Sequence, residues 1–474
     1  MPNPFLPLTE YVPDGEPHVF GDRVYLYGSH DAANAERFCT EDYTVWSAPT
    51  DDLSDWMCHG VSYRKEQDPR SKPGKPVDFY APDCVQGPDG RFYLYYFAAG
   101  PNTKPFGPMS VAVSDKPEGP FDYLGDIRYP DGSPVLDYLT NDPAVLNDNG
   151  RIWLYYGWGL GRDFRNPVLQ PLYRFVLSKL SNRSIETIRR TKPSILSCAC
   201  VELEPDMLTV RGRPKAVLDS KTTAKKDSNL YRHPFYEAAS IRRFGDFYYL
   251  IYSSGENNEL AYATSRFPDR DFVYRGVIVS NSDLGFLDNT QPKNNAGTIH
   301  GSIERIGDRY YVFYHRCTNN TDFSRQACAE PVEIASDGTI RQVEITTQGM
   351  DIRPLPGVGT YSAALCCHLI TPKPIKLGIG RQQFLPRIAE KDGIPLLADC
   401  IAGTKAVYKY FDLRKTDRIR IEYRGNAALS VNGVLLDKDG AVSISGGEQE
   451  TLSMEVLSGK ADILSFTFTG KEDA

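Results

Sequence analysis

Asp14, Asp142 and Glu237 precede three strands of the same kind, and a fourth such strand is led by His300. Five segments share the layout: a polar residue, then eight to ten positions ending in a tight turn, then a short aromatic-aliphatic run. They read DGEPHVFGDRVYLYGSHD from Asp14, DCVQGPDGRFYLYYF from Asp83, DPAVLNDNGRIWLYYGWG from Asp142, EAASIRRFGDFYYLIYSSG from Glu237 and HGSIERIGDRYYVFYHR from His300. Residues at equivalent places in a repeat converge when the repeat closes on itself. Converged carboxylates can divide acid/base work, one giving a proton while another takes one. Each acid alone also suits a turn cap through its side chain. The recurrence is what favours chemistry.

The elements that would position these residues follow from the spacing. Aligned on the residue after the turn (Arg23, Arg91, Arg151, Phe247 and Arg309), the segments lie 68, 60, 96 and 62 residues apart. Such a period exceeds one hairpin and suits a four-stranded antiparallel blade with generous loops. A second echo agrees: YTVWSAPTDDLSDW (43–56), MSVAVSDKPEGPF (109–121) and LAYATSRFPDRDF (260–272) each alternate, then turn, then reach an aromatic. The expected fold is all-β: a five-bladed β-propeller over residues 1–350, its strand-leading residues pointing into one funnel.

Two stretches depart from the repeat. The interval of 96 leaves about thirty residues to spare, and PLYRFVLSKLSNRSIETIRR (171–190) carries apolar residues at helical spacing. A surface helix filling a loop is expected there, with a lid over the funnel as the sharper alternative. Beyond the repeat, DIRPLPGVGTY (351–361) is rich in Pro and Gly and reads as a linker. Residues 362–474 alternate like strands without acidic leaders, as in AVYKYFDL, RIRIEYRG and DILSFTFTG. A C-terminal β-sandwich domain, packed against the propeller rather than binding glycan, is the economical assignment.

Composition narrows the function classes. The net charge is −7 and the basic clusters are short and scattered, which disfavours nucleic acid as a partner. No apolar run is long enough to span a membrane, and the first residues show no secretory pattern. Ten cysteines include no C-x-x-C pair, so buried reduced thiols in a cytoplasmic protein are expected. An uncharged substrate fits this balance better than a polyanion, and a homo-oligomer is compatible with it.

The motifs PDGEPHVFGDRVYLYGSHD, YAPDCVQGPDGRFYLYYF, NDPAVL, YEAASIRRFGDFYYL and GTIHGSIERIGDRYYVFYH, in that order and at propeller spacing, resemble glycoside hydrolase family 43. Its members hydrolyse arabinose- and xylose-containing glycans. The resemblance implies an inverting mechanism with Asp14 as general base, Glu237 as general acid and Asp142 as the neighbour that tunes and orients the acid. Inversion needs two carboxyl groups about 6.5–9.5 Å apart, so that water fits between base and sugar. The family commonly has Asp-Pro where this chain has Asp14-Gly15-Glu16-Pro17. Alignment on the proline would choose Glu16, whereas the nine-residue offset shared by Asp14–Arg23 and Asp142–Arg151 chooses Asp14.

The resemblance also implies a hydrated metal ion, often calcium, held by His300 and mainly water, and no organic cofactor. Arg325 resembles the arginine that reaches the sugar pocket, Tyr80 stands where the family often has a Trp that stacks on sugar, and His30 and Asp31 are expected either at the substrate or in bonds across blades. The expected activity is exo-release of α-L-arabinofuranose or β-D-xylose from short plant-cell-wall oligosaccharides. The exo expectation rests on the cytoplasmic one. A retaining fructosidase-like enzyme lacks its Trp-Met-Asn-Asp-Pro-Asn opening here. A non-catalytic glycan-binding propeller would not need three acids.

Overall fold

The second strand of every blade is apolar on both faces, and that pattern builds the ring. In the computed structural model, which describes residues 2–100, 103–254, 258–294, 297–374 and 385–470, these strands are Arg23–Tyr27, Phe92–Ala99, Arg151–Gly157, Phe247–Ser254 and Arg309–Cys317. Tyr25 and Tyr27 pack with Phe79 and Phe92 of blade two, while Val24 and Leu26 pack with Phe313 and Ala329 of blade five. The same division recurs around the molecule, giving one apolar cluster between each pair of successive blades. A side chain on either face of such a strand is removed from water, which is why the run is not alternating.

Blades one to four are four-stranded antiparallel sheets and blade five has three strands. Their innermost strands are Glu16–Phe20, Asp78–Gln86, Ala144–Asp148, Phe235–Phe244 and Ser302–Ile306. Each inner strand touches the next, and the fifth touches the first, so the five-bladed ring is closed. The chain's beginning secures the closure: Phe5 N–H donates to the Ala327 carbonyl at 3.3 Å, and Asn3 exchanges bonds with Ala329 across 2.9 and 3.0 Å.

Residues 171–190 are helical as the spacing predicts, in two pieces: α1 (Gln170–Ser181) and α2 (Ile185–Arg190). Asn182, in the left-handed conformation, ends α1, and the Ser184 side chain caps α2 by accepting from Thr187 N–H. Leu177 and Ile188 turn inward onto Leu139, Ile195 and Leu196, with Phe106 and Trp158 packed against the same cluster. The excursion therefore buttresses the wall of the funnel.

The C-terminal region is a folded-over sheet whose two long strands, Thr416–Val431 and Glu450–Gly470, run antiparallel and break register near Glu422–Tyr423 and Ala428–Leu429. Tyr408, Phe411, Phe466 and Phe468 fill the core so enclosed, giving the β-sandwich expected from the alternation; residues 471–474 lie outside the described residues. The proposed linker 351–361 is corrected. Leu355–Pro356 pairs with Phe411–Asp412, and Gly359–Ser362 pairs with Ser465–Phe468. The composition misled because Gly357 meets a close approach: a Cβ there would lie 2.3 Å from the Asp412 carbonyl and 2.4 Å from Thr416 Oγ1. The glycine serves packing, not slack.

Candidate active site

Four of the five blades place a residue in the left-handed region at the inner strand: Asp14 (φ 58°) and Asp142 (45°) just before it, Ala81 (38°) and Ala238 (62°) within it. Such a conformation costs a non-glycine residue about 1–3 kcal/mol and persists only where the surroundings impose it. Here neighbouring blades impose it on three of the four. Asp14 N–H donates to His315 Nδ1 of blade five at 3.3 Å, Ala81 N–H to Ser29 Oγ of blade one at 2.7 Å, and Ala238 N–H to Asp142 Oδ2 of blade three at 2.8 Å. The turn aims the strand leaders into the funnel, and cross-blade bonds hold the turn.

Asp14, Asp142, Glu237 and His300 line one cavity of about 360 Å³, together with Arg325 and an aromatic wall of Phe38, Tyr80, Phe97, Phe106 and Trp158. Asp14, Asp142 and His300 stand nine residues before the post-turn residue of their blades, but Glu237 stands ten before Phe247. Glu237 thus leaves the backbone one residue ahead of the left-handed Ala238, from a different direction than the two aspartates. Its Oε2 accepts the indole N–H of Trp158 at 3.0 Å.

The two aspartates have opposite electrostatics. Burial alone would raise Asp14, but Arg325, His300 and His315 outweigh it and hold the carboxyl below its usual value. Arg325 Nη1 donates to Asp14 Oδ1 at 2.8 Å. Asp142 is raised to about 6 by burial, with His300 opposing and Asp14 adding to the rise. It can therefore change charge near neutral pH while Asp14 stays ionised. His315 is kept neutral, lowered to about 3 by burial and by Arg325. Since its Nδ1 accepts from Asp14 N–H, its proton sits on Nε2, which donates to the Thr298 carbonyl at 2.9 Å.

Two residues expected at the substrate do not line the cavity. Asp31 is buried behind Arg325, accepting from its Nε at 2.8 Å and from Cys39 N–H at 2.9 Å. It aims the guanidinium, which also lies 4.8 Å from the Phe38 ring centroid. His30 faces away, with Nδ1 2.8 Å from the Asp42 carbonyl and Nε2 3.7 Å from Glu10. Tyr80 and Arg325 do line the cavity. Glu16 does not: it points down the axis, where Arg242 Nη2 donates to its Oε2 at 2.8 Å.

Phe38, Phe97, Phe106 and Trp158 were not singled out from the sequence. Trp158 lies in the blade-three run LYYGWG and had a signal there, whereas Phe38 and Phe106 come from loops with no local pattern.

A relative from Thermoclostridium stercorarium, named xylosidase/arabinosidase, is 40% identical over 459 residues, covering 92% of this chain and 89% of that one. The chain belongs to glycoside hydrolase family 43. The family's own model, glycosyl hydrolases family 43, matches residues 1–196. Among solved structures, a family 43 enzyme from Xanthomonas citri complexed with xylose is 26% identical with a TM-score of 0.54, covering 71% of this chain and 92% of that one. A family 43 β-xylosidase/α-arabinofuranosidase from a compost microbial metagenome, in complex with xylotriose and in calcium-free form, gives 26% and 0.54, covering 72% and 98%. This family 43 chain is a glycoside hydrolase with the propeller of its relatives.

The metal ion implied at His300 would have to use the donors around that ring. His300 Nε2 and Glu16 Oε1 are buried, 3.8 Å apart, and each lacks a hydrogen-bond partner, which would suit a small cation. One fact opposes it. The other oxygen of Glu16 is already paired with the Arg242 guanidinium. A fixed positive group from the protein already occupies one side of this slot, and a protein-held metal fits it poorly.

Proposed function

We propose that this family 43 enzyme is an inverting exo-glycosidase that releases a terminal β-D-xylose or α-L-arabinofuranose from short oligosaccharides. The observation that carries the reading is the asymmetry of the cavity's carboxyl groups. Asp14, fixed by Arg325 and held ionised, is suited to take a proton from water. Glu237, positioned by the indole N–H of Trp158 on its Oε2, is placed to protonate the leaving oxygen. Asp142 grips the peptide N–H that follows Glu237 and so orients the acid. Its own carboxyl, poised near neutrality, couples the acid's proton to the charge of the site.

Each step then has a residue. The terminal sugar enters the aromatic-walled cavity, where Tyr80 and Trp158 offer faces to its apolar side. Glu237 gives its proton to the glycosidic oxygen as the bond breaks. A water on the Asp14 side attacks the anomeric carbon and loses its proton to Asp14, giving the product of opposite anomeric configuration. Relatives named for xylosidase and arabinosidase activity and neighbours bound to xylose and xylotriose support this substrate class. The reading assigns no part to the family's hydrated cation, since the Arg242 guanidinium is already paired with Glu16 in that slot. Ten unpaired thiols, most of them buried, support the further proposal that the enzyme meets imported fragments inside the cell.

The test is turnover of 4-nitrophenyl β-D-xyloside and α-L-arabinofuranoside, with proton NMR of xylobiose hydrolysis to identify the first-formed anomer. α-Xylose from the β-linked substrate is expected. First-formed β-xylose would replace the inverting reading with a retaining one, and no turnover of either glycoside would remove the substrate class.

A further inference from the structure

Alternate residues of the inner strands, and the leaders two residues before three of them, face the propeller axis and stack in layers. The leaders Asp14, Asp142 and His300 form the first. Glu16, Asp83, Ser240 and Ser302 form the second, and two residues further on, His18, Arg242 and Glu304 belong to the third. The first layer is the floor of the catalytic cavity. The second and third hold a set of buried and half-buried charged groups that the reaction does not use. Glu16, His18 and Asp83 approach closely enough to hold a metal ion, yet one guanidinium is already seated among them.

That guanidinium is Arg242, 5% exposed. Its Nη2 donates to Glu16 Oε2 at 2.8 Å and to the Pro17 carbonyl at 2.7 Å, and lies 3.4 Å from His18 Nε2. Its Nε donates to Glu304 Oε2 at 3.2 Å, and Nη1 to the Ile241 carbonyl at 2.8 Å. Ser240 Oγ adds bonds to Glu16 at 3.0 Å and to Ser302 at 2.7 Å. Asp83 completes the circuit, 2.6 Å from His18 Nε2 and accepting from Val145 N–H at 2.7 Å. Every blade contributes: Glu16 and His18 from the first, Asp83 from the second, Val145 from the third, Arg242 from the fourth and Glu304 from the fifth.

We propose that Arg242 supplies from within the chain the positive charge that a divalent cation would supply at this axis, so that fold and activity do not depend on such an ion. The argument is one of charge and geometry. A guanidinium remains charged at any working pH and presents its donors in a rigid fork. Here the fork spans two carboxylates and a carbonyl from neighbouring blades, so it ties the ring together as a central cation would. A metal at Glu16 would have to share that carboxylate with a fixed positive group in contact with it. Removing the guanidinium reverses the preference, because Glu16 would then be a buried carboxylate without its counter-charge beside an unpartnered imidazole nitrogen of His300, a donor pair that a hard cation and its waters can serve.

The experiment compares wild type with Arg242→Met, each stripped with EDTA and then supplied with calcium chloride. Thermal unfolding is the primary readout, so the outcome stands apart from the assignment of the catalytic residues; turnover of an aryl glycoside is the second. Wild type is expected to keep its Tm within about 1 °C and its rate within about twofold in both conditions. Arg242→Met is expected to gain calcium dependence, its Tm rising by about 5 °C or more with the ion; adding Glu16→Gln should abolish that gain. Folding of Arg242→Met only when calcium is present is the same result in stronger form. If it folds in neither condition, Arg242→Lys decides: indifference to calcium supports the proposal and dependence on it overturns it. A wild type that loses stability or activity in EDTA and recovers them with calcium overturns it outright, as does an Arg242→Met that folds and ignores the ion.

Discussion

Asp14 and Glu16 show how two carboxylates in one tripeptide acquire unrelated tasks. Asp14 stands in the left-handed turn and Glu16 opens the strand two residues later; both face the axis, but one lies at the cavity and the other a layer below. The sequence offset pointed to Asp14, which lines the cavity, because the repeat preserves distance to the turn. The proline did not help, since in this chain it stands three residues after Asp14. His30 and Asp31 were legible as polar residues closing a strand, but only the fold shows Asp31 spent on Arg325. The division of roles has a kinetic signature. Glu237→Gln removes protonation of the leaving group, so kcat on xylobiose should fall by about 10³. On a 4-nitrophenyl glycoside, whose leaving group needs little help, the loss should be much smaller. Asp14→Asn removes activation of water and should reduce both substrates alike, by about the same 10³. Steady-state rates on the two substrates distinguish them; equal losses for Glu237→Gln would remove its role as acid.

At the scale of the element, the excursion between blade-three strands is neither filler nor a free lid. Its inner face packs on the cluster that supports Phe106 and Trp158, and Trp158 carries the hydrogen bond to Glu237. The 3.6-residue spacing made the helices legible, because an apolar stripe at that period has one physical reading. What they buttress was not legible, since the contact depends on where the blade-three loop folds back. The proposed linker failed for the converse reason: Pro and Gly report backbone shape, and the same shape serves a slack connection or a tight crossing under a strand. The Trp158 contact can be tested directly. Trp158→Phe keeps the ring and deletes one donor to a carboxylate, which disfavours the charged form of its partner. The alkaline limb of the kcat/KM profile, set by loss of the acid's proton, should move to higher pH. Stability should change by about 1 kcal/mol or less, as the neighbouring apolar contacts persist. A limb in the same place would mean that the indole N–H does not act on the acid.

For the whole molecule, the decisive structural event is closure of the ring, and it was legible only in outline. Five repeats of one layout require closure, because each blade's second strand needs an apolar neighbour on both faces. How closure is secured was not legible, as it depends on single side chains at the chain's beginning. Asn3 reaches Glu330 on the outer strand of blade five, its Nδ2 donating to Oε1 at 2.8 Å; Tyr314 Oη and Thr346 N–H donate to the same oxygen at 3.1 and 2.7 Å. Burial pushes Glu330 up to about 8, with Thr346 and Tyr314 opposing it in part. The sign of the consequence is fixed. A carboxyl raised in the fold from its usual 4.5 holds a proton between pH 4.5 and about 8 that the unfolded chain has released. Folding then takes up a proton, and the stability so gained is complete below that window and lost as pH rises through it. Wild-type Tm should therefore decline from pH 5 to pH 8.5, in part because of this group. Glu330→Gln, neutral at every pH and of nearly the same shape, should flatten the decline. Its Tm relative to wild type should become more favourable by a few degrees towards pH 8.5. Differential scanning fluorimetry at four pH values would show this as converging or crossing curves. Parallel curves would mean that Glu330 closes the ring as an ion, its four donors sufficient to hold the charge.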